Sequence, residues 1–168
     1  RSLAYKERFD RNNFFQNLLL DNMLMIDVYN RARKLKIEVT APRTIMLVET
    51  GRTKDSSARE LLTSMFAPSS GDYVTAVDEN SIIIVKSLGK GENYDDINRI
   101  ATTIVDMMST EALLNVRVSY GTIVEEIRDL SKSFKEAKMA LEVGRIFNAE
   151  CRANGYNTLG IGRLIYQL

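Results

Sequence analysis

The feature that most limits what this chain can become is the order in which two hydrophobic periods alternate along it. "TIMLVET", residues 44–50, is a mostly apolar run with Ile and Val, the pattern of a buried strand, and Gly51 ends it. A helical period follows from about Ser56 to Phe66, with Ala58, Leu61, Leu62, Met65 and Phe66 inward. "PSSGD" at 68–72 reads as a loop. "YVTAVDENSIIIVKSL", residues 73–88, divides in the middle: Tyr73–Val77 and Ile82–Leu88 read as strands, and "DENS" as the turn of a hairpin. The clearest helix spans 94–108, where Ile97, Ile100, Ala101, Ile104, Val105 and Met108 step by three and four. "NVRVSYG", 115–121, alternates Val116, Val118 and Tyr120, which predicts a strand with one covered face.

Strand, helix, strand, strand, helix, strand is the ferredoxin-like βαββαβ unit, an α+β fold whose mostly antiparallel sheet carries helices on one face. Two helices precede it. The first covers 5–20 with Phe9, Phe14, Phe15, Leu18 and Leu19 at helical spacing; the second runs from Asp27, its expected N-cap, to Lys36, with Val28, Ala32 and Leu35 apolar. Pro42 breaks the pattern after them. The chain therefore divides into connector helices at 1–40 and an α+β domain at 41–168. After the last core strand, "YGTIVEEIRDLSKSFKEAKMALEVGRIF" at 120–147 opens a long helix. Thr122 and Glu125 have capping-box spacing, and Glu125 and Glu126 suit a helix N-terminus. On this reading the acids cap the helix, while Ile127, Leu130, Phe134, Ala137 and Leu141 cover the sheet. A last helical turn or two is expected at Gly162–Leu168.

Composition narrows the chemistry. With 45% hydrophobic and 27% charged residues, the 168-residue chain is of globular type and long enough for a real core. A net charge of +1 lacks the basic excess of a domain that holds nucleic acid by itself. There is no histidine, which removes imidazole bases and ligands from this chain. Cys151, the single cysteine, allows neither an internal disulfide nor a cysteine-rich zinc site and fits a cytoplasmic setting. No apolar run reaches membrane-spanning length. The charged start "RSLAYKERFD" is no signal peptide, and the chain reads as part of a longer protein.

Nucleotidyl cyclases and GGDEF-type diguanylate cyclases elaborate the same βαββαβ plan, and such chemistry needs carboxylates at the end of the first strand and at the hairpin to hold Mg²⁺ against a triphosphate. Glu49, Asp78 and Glu79 occupy those places and are the candidates for a nucleotide-binding or residual cyclase site. Against them, acids and Asn are ordinary turn residues, and "VDENS" lacks the paired glycines that let a nucleotide approach the backbone. "GKG" at 89–91 has neither the spacing nor the Ser or Thr of a P-loop. The basic side of the second helix, Arg31, Arg33, Lys34 and Lys36, reads as a solvated face before it reads as a phosphate patch. Met23, Met25, Met107 and Met108 read as core filling before an adaptable binding surface.

Two further stretches carry a resemblance. "SKSFKEAKMALEVGRIF" followed by "YNTLGIGRLIYQL", with "APRTIMLVE" at 41–49 and "FFQNLLLDN" at 14–22, is similar to the central GGDEF-like domain of bacterial CdaR/PucR-type regulators of sugar diacid and purine catabolism. Ser133, Phe134, Glu136 and Ala137 stand for that family's Ser-Tyr-x-Glu-Ala run, with Phe for Tyr; Leu159, Gly160, Arg163 and Leu164 stand for its Leu-Gly-x-x-Arg-Leu run. The resemblance implies a non-catalytic signal-relay and oligomerisation domain with no cofactor. It also implies a homodimer, a sensory region upstream, and DNA contact through a helix-turn-helix domain that would follow this segment. It does not name the effector.

Overall fold

A computed structural model describes residues 2–51, 56–66 and 70–160. Helices α1 (Leu3–Leu19) and α2 (Met25–Lys34) lead into β1 (Thr40–Glu49), α3 (Ser57–Met65), β2 (Tyr73–Thr75), β3 (Ser81–Ser87), α4 (Tyr94–Glu111), β4 (Arg117–Tyr120), β5 (Val124–Glu126), α5 (Leu130–Phe147) and β6 (Ala153–Gly155). The six strands form one mixed sheet in the order β2-β3-β1-β4-β6, with β5 also paired to β1. The first four strands pair antiparallel throughout, as the βαββαβ plan requires; β4 and β6 run parallel.

Every position from Ile45 to Val48 and from Ile82 to Val85 is buried. Successive side chains of a strand point to opposite faces, so such runs need cover on both. Met46, Val48, Ile82, Ile84, Val118 and Tyr120 pack with Leu62 of α3 and with Ile97, Ile104 and Met108 of α4. Ile45, Leu47, Ile83 and Val85 pack with Phe14 and Leu18 of α1, Val28 and Ala32 of α2, and Phe134 and Ala137 of α5. The one-face arrangement thus holds for α3 and α4, the two helices of the core unit, and not for the sheet, whose second face is closed by α1, α2 and α5. The same correction applies to β4: Ser119, between the predicted apolar positions, is buried and donates to the Ala137 carbonyl at 2.6 Å.

Three local expectations change. Helix α2 starts at Met25, with Leu24 at the N-cap and no side-chain cap, so Asp27 sits in the first turn. Pro42 lies within β1, where the register with β5 shifts between Thr40 and Arg43. A ring without an N–H is tolerated at such an irregularity, and its carbonyl still accepts from Leu88 at 3.0 Å. Finally, no helix begins at Thr122. Val124–Glu126 form β5, a 3-10 turn covers Ile127–Asp129, and α5 starts at Leu130. Glu125 lies on that short strand, and Glu126 accepts from the Thr40 hydroxyl at 3.2 Å, so neither acid caps a helix. Among the described residues a capping box is found at α4, made by Asn93 and Asp96.

Candidate functional site

The fold brings the two candidate carboxylate positions to one end of the sheet. Glu49 closes β1 opposite Ser81 of β3, and the next two amides, Thr50 and Gly51, donate to the Asn80 carbonyl in the hairpin turn at 3.0 and 3.1 Å. The backbone juxtaposition expected from the βαββαβ plan is therefore present.

Two of the three candidate side chains there are partly engaged by scaffold partners. The Glu49 carboxylate accepts from Arg145 of α5, which also donates to Glu142 at 2.6 Å. Hydrogen bonding to Glu49, then to Glu142, raises the Arg145 pKa, so this cation stays charged at any ordinary pH. Arg117, paired across the sheet with Glu49, is held by the Ala149 and Cys151 carbonyls at 2.6 and 3.2 Å. Asp78 folds back on its own turn: Oδ1 accepts from the amides of Asn80 at 2.8 Å and Ser81 at 3.2 Å. That is an Asx-type turn, the local reason for an Asp at a hairpin. Glu79 is exposed on the same turn. Glu49 and Asp78 thus each have one carboxylate oxygen committed to the scaffold. Among the described residues no group of three or more Asp, Glu, Cys or His side chains is placed to hold a metal.

The stretch from Ser133 to Ala137 does a different job. At Gly121 the chain leaves β4 and rejoins β1 as β5 three residues later, which opens a gap in the ladder. Ser133 fills it. Its Oγ accepts the Ile45 amide at 3.1 Å and donates to the Thr122 carbonyl at 2.9 Å. Beside it the Thr44 hydroxyl donates to the Gly121 carbonyl at 2.9 Å. Glu136 accepts from the Thr122 amide at 3.1 Å and its hydroxyl at 2.5 Å. Phe134 and Ala137 are buried between α5 and the sheet, and the Lys138 ammonium lies 4.5 Å from the Phe134 ring centre. All four motif residues thus lock α5 onto β1 and the β4–β5 link. Gly121 permits the approach: a Cβ there would stand 2.1 Å from the Ser133 carbonyl oxygen.

Of the second motif, Leu159 is half-buried and Gly160 exposed after the 3-10 turn Tyr156–Thr158, while Arg163 and Leu164 lie outside the described residues, as does the helix expected at Gly162–Leu168. Sequence reasoning missed Arg145 as the partner of Glu49 and Thr44 as a buried donor. It also missed Arg43, buried at the start of β1; its one signal is a lone charge heading an apolar run.

A family profile described as a GGDEF-like domain matches residues 23–143, from the loop before α2 to the last turns of α5. No curated protein matches the chain.

Proposed function

The chain belongs to the GGDEF-like domain family, and from that premise we propose that it is a non-catalytic relay and self-association domain of a DNA-binding transcriptional regulator of the CdaR/PucR type. The observation that carries this reading is the commitment of both candidate carboxylates to scaffold partners: Glu49 to Arg145, and Asp78 to the amides of its own turn. The turn is also built without glycine, so a triphosphate has no bare backbone to approach.

The relay half of the proposal rests on surfaces. Leu3, Tyr5 and Phe9 on the first half of α1, and Leu24, Met25 and Ile26 at the start of α2, are exposed although apolar. The second half of α1 is anchored in the core by Phe14, Phe15, Leu18 and Leu19. A helix anchored at one end and apolar at the other suits transmission from an upstream sensor into a two-fold dimer. An effector bound upstream would shift the population between two dimer arrangements and so reposition DNA-binding domains carried elsewhere in the protein. The near-neutral charge of this segment agrees with DNA contact being made outside it.

Calorimetric titration with GTP, ATP and cyclic dinucleotides in Mg²⁺ tests the non-catalytic part. The expected result is no binding heat for any of them. Tight binding that disappears in Glu49→Ala would replace this reading with a nucleotide-binding or residual cyclase domain using Glu49 and Asp78.

A further inference from the structure

Between the exit of α2 and the β1–β3 end of the sheet lies a cavity of about 370 Å³ whose walls include Arg11, Lys36, Glu38, Arg43 and Asp72. Arg43 is 6% exposed. Its Nη2 donates to the Glu38 carbonyl at 2.7 Å, whereas Nη1 is buried without a hydrogen-bond partner among the described residues. A buried guanidinium with an open donor is among the costlier arrangements in a folded chain, because neither the charge nor the N–H recovers what it lost on leaving water.

The nearby acids do not supply that partner. The Asp72 carboxylate accepts from Lys86 Nζ at 3.1 and 3.2 Å, from the Ser87 amide at 2.8 Å and from the Ser70 hydroxyl at 3.0 Å. Burial pulls the Arg43 pKa down, outweighing the charge of the Glu38 carboxylate, which makes no hydrogen bond to Arg43. Two more cations share the wall. Arg11 is seated from α1 by a 2.7 Å bond to the Leu35 carbonyl, and Lys36 follows directly after α2. Of the basic run Arg31, Arg33, Lys34 and Lys36, Lys36 is the member that lines this cavity.

Three cations from three elements therefore converge on one cavity, with one carboxylate already neutralised by Lys86 and the other exposed. The planar fork of a guanidinium matches a carboxylate or a phosphate. The volume falls within the roughly 300–1,000 Å³ usual for small-ligand sites. We propose that this cavity binds the carboxylate or phosphate group of a small molecule, held by Lys36 and Arg11 at the rim and by the charge of Arg43 in the wall. None of Glu49, Asp78 or Glu79 lines it, and the inference stands whether or not the chain serves a regulator.

The 168-residue chain is titrated with inorganic phosphate and, separately, with acetate, at ionic strength held constant with chloride. Thermal denaturation and the arginine Nε–Hε resonances are followed. A saturable rise in the unfolding midpoint and a shift of the Arg43 resonance are expected with at least one anion, and the anion that saturates at the lower concentration identifies the source chemistry. Arg43→Met keeps the aliphatic stem, removes the charge from the cavity wall and weakens binding by about tenfold. Lys36→Met, at an exposed position, weakens it by about threefold and leaves folding intact. No saturable effect beyond chloride, or an effect that survives unchanged in both variants, overturns the proposal. If Arg43→Met does not fold, Lys36→Met with the resonance readout decides.

Discussion

The hydroxyl of Ser133 accepts the amide of Ile45 at 3.1 Å and thereby takes the place of a strand that is not there. The ladder between β1 and β4 ends at Met46–Tyr120 and resumes with β5 at Arg43–Val124. A side chain from α5 bridges the interval, so helix and sheet are joined by hydrogen bonds as well as by apolar contact. Ser133→Ala leaves the Ile45 N–H and the Thr122 carbonyl without this partner in a buried site. Unfolding in urea should show a loss of about 2–6 kcal/mol, from two orphaned groups at roughly 1–3 each.

Glycine at 121 and glycine at 144 separate two kinds of close packing. A Cβ at Gly121 meets the Ser133 carbonyl oxygen at 2.1 Å and its carbonyl carbon at 2.7 Å, which is backbone and cannot swing away. A Cβ at Gly144 meets side-chain rather than backbone atoms, Asn154 Nδ2 at 2.6 Å and Cγ at 2.7 Å, and Asn154 makes room only by disturbing its bonds with Asn148 and Cys151. Gly121→Ala should cost at least about 3 kcal/mol, because α5 must lift from the sheet. Gly144→Ala should cost no more than about 1–2 kcal/mol, since the helix gains up to roughly 1 kcal/mol when Ala replaces Gly. Equal losses in the two variants would contradict this account of the α5 seat.

Tyr120 sets the alkaline limit. Burial, with smaller contributions from the Cys151, Asp95 and Tyr94 charges, raises its pKa from 10.0 to about 12, and its hydroxyl donates to Asn98 at 2.9 Å. The folded-state pKa lies above the unfolded one. The contribution is therefore complete below pH 10.0 and is lost as pH rises toward about 12. A shift of this size corresponds to on the order of 2–3 kcal/mol. Tyr120→Phe should flatten the stability profile across that window, measured by urea unfolding at fixed pH steps. An unchanged slope would remove Tyr120 as the cause.

How far the sequence alone reached depended on whether a partner was local. The apolar runs at Ile45–Val48 and Ile82–Val85 and the period of α4 carry their burial in their own pattern, and they led to the βαββαβ order. The chain between Gly121 and Leu130 carried a misleading signal. Thr122 and Glu125 have helix-start spacing, yet Thr122 is bound by Glu136 from a later turn, and Glu125 lies on a strand formed because β1 offers it a free edge. The strand Ala153–Gly155 has no strand propensity of its own and exists because β4 offers a parallel edge. The sequence put Glu49 at the end of the first strand and Asp78 in the hairpin turn, but Arg145 stands 96 residues from Glu49, and no local pattern announces that pair.

The proposed self-association has candidate residues. Leu3 is 81% exposed and Phe9 59%, both on the first half of α1, and Ile26, 67% exposed, lies at the start of α2 just past the C-terminal end of α1. Light scattering should find a dimer, and Phe9→Glu together with Ile26→Glu should shift it to monomer with the unfolding midpoint little changed, since both side chains lie outside the core. A strictly monomeric chain at high concentration would remove self-association from the account.

The most direct test of the central claim, that the β1–hairpin end is scaffold with its carboxylates occupied, is a turnover assay with Mg²⁺ and GTP on the unaltered chain and on Arg145→Ala. Pyrophosphate release and cyclic product are followed together. The account expects neither from either protein, because releasing Glu49 still leaves Asp78 bound into its own turn. Product from the unaltered chain, abolished by Glu49→Ala, would contradict it.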